Sequence, residues 1–301
     1  MSKFEQISAH IWIMHAEHET DRPILAAIVG ERRTLLMDAG NSPAHAGLFR
    51  EALKRRGVKL PDLMVLTHWH WDHTFGMSAW GVPAIAHSGT VKTLRDLARY
   101  HWSDETMKTL VQQEMLSAAT VKDMKEEYGV ESERSIEIIE PDVQFEDRIR
   151  IDLGGISCEI QHVGGDHSED SCYVYVREDK VLFLGDALGP SVYGGPRSYT
   201  SAGFLSLMDR LHEYEGVQIF VESHGVPVSR DAFLADIGEW EQLARLVALH
   251  GDDRERITEE MAVHLSVAEL PETFAEAIGW FMVGVERGRT LGLRAAGGDG
   301  T

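Results

Sequence analysis

The residues best suited to chemistry form one short segment, which reads His-x-His-x-Asp-His over residues 68–73 and directly follows an apolar stretch. Residues at positions i and i+2 of an extended chain share one face, so His68 and His70 can point at one metal ion. Asp72 and His73 follow where the chain must turn, within reach of a second ion. Imidazole and carboxylate groups suit Zn, Fe or Mn without a thiolate. Because four ligand-type residues in six are improbable in an ordinary polar loop, the segment predicts a metal site.

Three later residues extend this ligand set, and each lies just beyond an apolar run that has the length of a strand. His167 is placed to complete the first ion, Asp186 to bridge the two ions with its two oxygens, and His224 to complete the second ion. Taken singly they are a turn residue, a helix cap and a loop histidine. Because loops at strand ends commonly carry functional sites, their joint pattern favours a common metal centre.

These motifs resemble those of the metallo-β-lactamase superfamily, and the resemblance covers residues from about 5 to 228. It implies an α/β fold, an αββα sandwich, with a dinuclear metal site at one edge of the sheets. It assigns His68, His70 and His167 to one ion, Asp72, His73 and His224 to the other, and Asp186 to both. It also implies that Asp38, in an Asp-x-Gly element, supports the metal-site loop without contacting the ions.

The approach to the third ligand departs from the pattern of many relatives, which read His-Thr-Pro-Gly-His. Here six residues run from His162 to His167, one more than in that pattern, so either histidine could be the ligand. The segment 168–171, which leads into the next strand, favours His167. His162 then lies within the preceding strand as a packed or hydrogen-bonded histidine.

The elements that must position these residues are strands in the first part and helices in the last. Ser42 and Pro43 predict a helix start, and a strand is predicted at 136–139. The pattern indicates a metallo-β-lactamase-like domain over 1–228, with a helical insert at about 88–130. A C-terminal helical extension follows over 229–301, in about three pieces that divide near Gly251 and Pro271. The tail at 295–301 is predicted to be disordered.

Composition limits the partners and the compartment. The chain has 301 residues, with 29 Lys and Arg against 49 Asp and Glu, so its net charge is −20. This charge argues against a nucleic-acid partner, because phosphate groups would be repelled. No window has the roughly 18 apolar residues that a membrane helix needs, and no secretory signal is seen. Cys158 and Cys172 are interpreted as buried thiols, so we expect a cytoplasmic protein without a membrane partner.

The predicted site favours metal-assisted hydrolysis. Two divalent ions, with zinc favoured over iron or manganese, would share a water and lower its pKa to about 7. The resulting metal-bound hydroxide would attack the substrate, and Asp72 would orient it or handle the leaving-group proton. The helical parts resemble those of quorum-signal-response thioesterases and lactonases. We therefore expect a small-molecule substrate with a carboxylic ester, thioester or lactone bond.

Alternatives remain open on function and on the helices. The chain could instead be a ligand-binding or regulatory protein with little turnover, a phosphodiesterase or a β-lactamase-type hydrolase. Tyr193 and Tyr199 lie in the loop after Asp186, where a phenol could donate to a developing oxyanion or bind substrate. The apolar helices could cap the site, pack on the sandwich or form the interface of a homodimer.

Overall fold

The computed structural model describes residues 3–296. The chain divides into two compact units. The first consists of Met1–Gly164, Ser168–Ala187 and Gly216–Arg230, and the second of Gly165–His167, Leu188–Glu215 and Asp231–Thr301. The predicted domain boundary at 228/229 stays a prediction. Of the predicted disordered tail, residues 297–301 lie outside the described residues, whereas 295 and 296 are the last residues of the final helix.

The first unit contains a seven-stranded sheet whose strands follow sequence order. Strands β1 to β4 are antiparallel, and β4 to β7 are parallel. The parallel strands all end at the same edge of the sheet, which is where α/β folds place their ligands. The strands are β1 Phe4–Gln6, β2 Ile11–Met14, β3 Leu25–Val29, β4 Thr34–Met37, β5 Leu63–Val65, β6 Ala84–His87 and β7 Val143–Phe145.

A six-stranded sheet completes the β structure of this unit, in the order β13-β12-β11-β10-β9-β8. Only β11 and β12 are parallel within it; the other neighbours are antiparallel. The strands are β8 Arg148–Asp152, β9 Ser157–His162, β10 Cys172–Val176, β11 Val181–Gly185, β12 Ile219–Glu222 and β13 Val228–Ser229. The strand predicted at 136–139 was wrong: this stretch is irregular, and no strand of the described residues pairs with it.

The core lies between the two sheets and follows the two-residue period of strands. Alternate residues such as Leu35 and Met37 in β4, and Val181 and Phe183 in β11, belong to one fully buried cluster. Side chains at i and i+2 point to the same face, so each strand offers one face to this core. Cys158 and Cys172 are buried free thiols, as predicted.

Five helices of the first unit lie between strands. Ser42 Oγ accepts a hydrogen bond from the backbone N–H of His45 (3.0 Å), and Pro43 is the first helical residue, which confirms the predicted helix start. The insert forms three helices. The helices are α1 Pro43–Arg55, the single turn α2 Trp71–Thr74, and in the insert α3 Ser88–Leu97, α4 Asp104–Gln112 and α5 Ala118–Tyr128.

The second unit is helical and has an aromatic core. Its helices are α6 Ser201–His212, α7 Arg230–His250, α8 Arg254–Leu265 and α9 Glu272–Ala296. Helix α7 starts at the last residue of the first unit. The divisions predicted near Gly251 and Pro271 are confirmed. Tyr199 and Phe204 pack against aromatic rings of α7 and α9, among them Trp240 and Phe281. Within the described residues, no helix is long and apolar enough to cross a membrane.

Two glycines allow the strand ends of the first unit to come together. A side chain at Gly76 would place its Cβ 2.2 Å from the carbonyl oxygen of Ala39, so only glycine lets α2 approach the end of β4. Gly185 has a φ of 57° in the left-handed region at the end of β11, which turns the chain directly before Asp186. Both positions lie beside candidate metal ligands.

A half-buried aspartate, whose side chain is 4% exposed, joins the turns of the two sheets. Asp179, in the turn between β10 and β11, accepts hydrogen bonds from the backbone N–H (2.9 Å) and ring Nδ1 (2.7 Å) of His10 and from the Ser8 hydroxyl. Burial would raise the pKa of Asp179, but the hydrogen bonds from Ser8 and His10 outweigh burial and lower it. A lowered pKa stabilises the fold at pH values above the pKa of the unfolded chain.

We therefore expect Asp179→Asn to lower the free energy of unfolding at pH 7 by about 1–3 kcal/mol, because charged hydrogen bonds are lost. This difference should shrink as the pH falls through the folded pKa, since the parent then loses the same stabilisation. Urea unfolding at pH 7 and at a pH below the folded pKa of Asp179 measures both values. Asp147→Asn, at an exposed turn of the same unit, is the control. An equal loss at both pH values would contradict the electrostatic explanation.

Candidate metal centre

The metal-site loop is held by a buried aspartate at the end of β4. Asp38 Oδ1 accepts from the backbone N–H of Thr67 (2.8 Å), and Oδ2 accepts from the Thr67 hydroxyl (3.0 Å) and from His73 Nδ1 (2.8 Å). Asp38 has a φ of 57°, which is rare for a residue other than glycine and is maintained here by these bonds. Because Nδ1 of His73 faces a carboxylate, its Nε2 is available to bind an ion.

Four predicted ligands of the first unit converge on one point. The side chains of Asp72, His73, Asp186 and His224 each offer one ligand atom, and these atoms lie within 4.8 Å of one another. Asp72 Oδ2 is 2.9 Å from His73 Nε2 and 3.0 Å from His224 Nε2. Asp186 Oδ2 is 3.4 Å and 3.3 Å from the same two atoms. The residues come from α2 and from the ends of β11 and β12.

His68 and His70 lie directly beside this group. The centroids of their rings are 4.4 Å apart, and the ring centroid of His68 is 4.2 Å from that of His73. Thr67 Oγ1 lies 3.1 Å from His68 Nδ1, so the same threonine that binds Asp38 also contacts this ring. His68, His70 and His73 thus lie side by side, and all three belong to the segment that directly follows β5.

The charges of the centre are divided between its imidazoles and its carboxylates. Burial would lower the pKa of His73 and of His224, but Asp72 and Asp186 outweigh burial and raise both values well above that of free imidazole. Burial would raise the pKa of these two aspartates, but the histidines lower both values. Burial and the charge of Asp72 raise the pKa of Asp21, next to His224, to about 7. The carboxylates of the centre thus favour positive charge beside them, and a bound cation would take the place of the imidazole protons.

The donor set fits a divalent ion. Ligand atoms about 2.0–2.2 Å from a tetrahedral ion lie roughly 3.3–3.6 Å from each other, close to the 2.9–3.4 Å observed. His73 Nε2 is buried and makes no hydrogen bond within the described residues, although carboxylate oxygens lie near it. Such convergence of imidazole and carboxylate atoms is typical of a metal site.

Comparison with known families agrees with this geometry. The sequence profile of the metallo-beta-lactamase superfamily matches residues 20–257, which is most of the chain. The chain belongs to the metallo-beta-lactamase superfamily. The predicted α/β fold with two sheets, a helical insert and a C-terminal helical extension is thereby confirmed, and its His and Asp groups are able to bind metal ions.

The three relatives described next are distant in sequence. An acyl-coenzyme A thioesterase of Bos taurus, MBLAC2, is 25% identical over 186 residues, which are 59% of this chain and 62% of that protein. A metallo-beta-lactamase from Pontibacter korlensis has a TM-score of 0.54 at 20% identity and covers 79% of this chain and 98% of its own. The sec-alkylsulfatase Pisa1 from Pseudomonas sp. has a TM-score of 0.62 at 16% identity, over 90% of this chain and 46% of its own. These two structures share the fold of this chain.

The two candidates for the third superfamily ligand have different surroundings. His162 ends β9, where its Nε2 donates to the carbonyl of Glu169 (2.8 Å) and its ring stacks on His87 at 3.9 Å. It belongs to no group of three potential metal ligands among the described residues. His167 lies in the second unit, where its Nδ1 is 3.1 Å from the carbonyl oxygen of Pro190. His162 is thus the packed, hydrogen-bonded histidine that was expected, and the role of His167 stays a prediction.

The two tyrosines proposed to bind substrate lie in the second unit. Tyr199 is buried, and its hydroxyl donates to the carbonyl of Leu188 (2.9 Å) while its ring packs against Phe281. The carbonyl of Tyr193 accepts from the Ser191 hydroxyl (2.8 Å). These contacts give Tyr199 a structural role, and substrate binding by either residue stays a prediction.

The roles of two residues of the centre were not predicted from the sequence. Thr67 connects Asp38 with His68, and Asp21 places Oδ1 3.7 Å from His224 Nδ1. Thr67 stands next to the histidine motif, so its position was a usable signal. Asp21 is one acidic residue in a polar turn, and nothing in the local sequence distinguishes it.

Proposed function

We propose that this chain is a dinuclear metal-dependent hydrolase that cleaves small carboxylic esters, thioesters or lactones. Superfamily membership supports a metal-dependent hydrolase. The observation that carries the proposal is the convergence of Asp72, His73, Asp186 and His224 beside His68 and His70. In this proposal His68, His70 and His167 would hold one ion, Asp72, His73 and His224 would hold the other, and Asp186 would be shared. Zinc is the ion favoured by the donor set.

The ions, when bound, supply Lewis acidity and make water a nucleophile at neutral pH. The chain's own residues would orient the reacting groups and move protons. Asp38 fixes the ring of His73, so that Nε2 keeps its direction through a reaction cycle. In this proposal the carboxylate of Asp72 would orient the nucleophile or handle the proton of the leaving group.

The bond that is cleaved, the size of the substrate and the compartment are each proposed from one line of support. The relative from Bos taurus is named as an acyl-coenzyme A thioesterase, which favours a thioester. The net charge of −20 disfavours polyanionic polymers such as RNA and DNA. Buried free thiols fit the reducing cytoplasmic compartment expected for a small-molecule enzyme, whether it acts alone or as a homodimer.

The test is a substrate panel with the zinc-loaded protein. Short acyl thioesters, lactones and carboxylic esters should be hydrolysed, whereas phosphodiesters, β-lactams, RNA, DNA and protein should not. Asp72→Asn should lower kcat/KM by about 100-fold to 10,000-fold, because a proton-transfer group is lost. Glu19→Gln, at an exposed position, is the matched control. If no acyl compound is hydrolysed while one raises the melting temperature, the chain is instead a binding protein.

A further inference from the structure

His224 is the most exposed ligand of its group, and its two ring nitrogens face different carboxylates. Its side chain is 28% exposed, compared with 0% for His73. Nε2 faces Asp72 and Asp186, whereas Nδ1 lies 3.7 Å from Asp21 Oδ1. A neutral imidazole binds an ion through Nε2 only when Nδ1 carries the proton, so the group beside Nδ1 selects the binding form.

His73 shows how the other histidine of this group is held. Its Nδ1 donates to Asp38 at 2.8 Å inside the protein, and this bond leaves Nε2 toward the ligand cluster. His224 lies on the turn after β12, where a less buried ring has more freedom. The carboxylate of Asp21 occupies the corresponding position on the Nδ1 side of His224, at a distance that a small movement can close.

The backbone around Asp21 is held in an uncommon conformation. Asp21 has φ 54° and ψ 44°, in the left-handed region, directly after the turn His18–Thr20. On either side, the backbone N–H groups of Glu17 and Arg22 each donate to the other residue's carbonyl at 2.9 Å. Aspartate and asparagine tolerate this region better than most residues. The closed turn therefore presents the Asp21 side chain in one direction.

A helix of the insert fixes this turn from outside. Arg22 donates to Glu127 of α5 through Nε (3.0 Å) and Nη2 (2.9 Å), and to Glu17 through Nη1 (2.7 Å). The side chain of Glu127 is 1% exposed, so this paired contact is shielded from water. The insert thus determines where the turn that carries Asp21 lies.

The turn that carries His224 is joined to the same segment. The backbone N–H of Ile24 donates to the carbonyl of Ser223 at 2.7 Å. Asp21 and His224 are therefore held close together by main-chain contacts within a few residues of each. Their 3.7 Å separation needs to shorten by roughly 0.7 Å to become an ordinary N–H···O hydrogen bond.

We infer that Asp21 is a positioning residue for His224: its carboxylate accepts the Nδ1 proton, so that Nε2 is presented to the second ion, while Arg22 and Glu127 hold Asp21 in place. The inference rests on the proposed metal-dependent function of this centre. According to this inference, the helical insert supports the metal centre, because Glu127 of α5 binds Arg22 in the turn that carries Asp21.

The test is metal binding by the Asp21→Asn variant. Metal-free protein is titrated with Zn²⁺ in competition with a chromophoric chelator, which resolves two binding steps without any substrate. We expect the Zn²⁺ affinity of one step to fall by about 10-fold to 100-fold relative to the parent. The affinity of the other step should stay within about twofold of the parent value. Asparagine also tolerates the left-handed region, so the melting temperature of the metal-free variant should match that of the parent.

Two further variants separate positioning from general effects. Glu19→Gln removes the same charge from an exposed site in the same turn, and both of its binding steps should stay within about twofold of the parent values. Glu127→Gln should weaken the same step as Asp21→Asn, because the turn loses its anchor. The inference is overturned if Asp21→Asn binds both ions as the parent does, or if Glu19→Gln loses as much affinity. If the selective loss is found but no acyl compound is hydrolysed, the proposed function fails and the inference stands.

Discussion

Asp186→Ala and His68→Ala are each expected to lower kcat/KM by about three orders of magnitude or more, and to reduce the metal content from about two ions per chain. Asp186 Oδ2 lies 3.4 Å from His73 Nε2 and 3.3 Å from His224 Nε2, so its removal takes one carboxylate from the shared ligand set. Loss of an ion removes several kcal/mol of charge stabilisation, and each 1.4 kcal/mol is a tenfold change in rate. Elemental analysis and kinetics on the same preparation measure both effects.

An exposed aspartate provides the control for this pair of variants. Asp209 is exposed on α6, and Asp209→Ala should keep both the metal content and the rate. Circular dichroism of all three variants checks that the fold is retained. Full metal occupancy together with full activity in Asp186→Ala and His68→Ala would exclude the ligand assignment.

Truncation after Pro227 is expected to abolish activity and to make most of the protein insoluble. The truncated chain keeps Tyr199 and Phe204 but loses their partners on α7 and α9, among them Trp240 and Phe281. Each buried aromatic side chain covers about 150–250 Å² of apolar surface, so these two rings would be exposed to water. The soluble fraction after expression and the binding of a hydrophobic dye measure this exposure.

Point variants in the full chain test the same explanation without removing residues. Phe281→Ala should lower the free energy of unfolding by about 3–5 kcal/mol, because Phe281 is fully buried. Leu249→Ala, at a side chain that is 73% exposed, should change it by less than about 0.5 kcal/mol. A soluble truncated protein with unchanged substrate preference would instead show that the extension is a dispensable appendage and not a cap.

Local chemistry in the sequence was sufficient for the candidate ligands and for much of the secondary structure. Ser42 and Pro43 started a helix because a side-chain oxygen and a fixed φ act on the next few residues alone. Short continuous apolar runs marked the strands, whose alternate side chains fill the core. The irregular stretch at 136–139 shows the limit, because an apolar run becomes a strand only where a neighbouring strand can pair with it.

The sequence by itself determined the superfamily and the ligand types, since these depend on short motifs, each made of residues close together in the chain. Only the tertiary structure placed Asp38 against His73, put Asp21 beside His224 and anchored Arg22 to Glu127. These pairs are separated by tens to hundreds of positions, so no spacing or periodicity in the sequence marks them. Their geometry depends on which strands pair and where each strand ends, and that is decided by the packing of the whole unit.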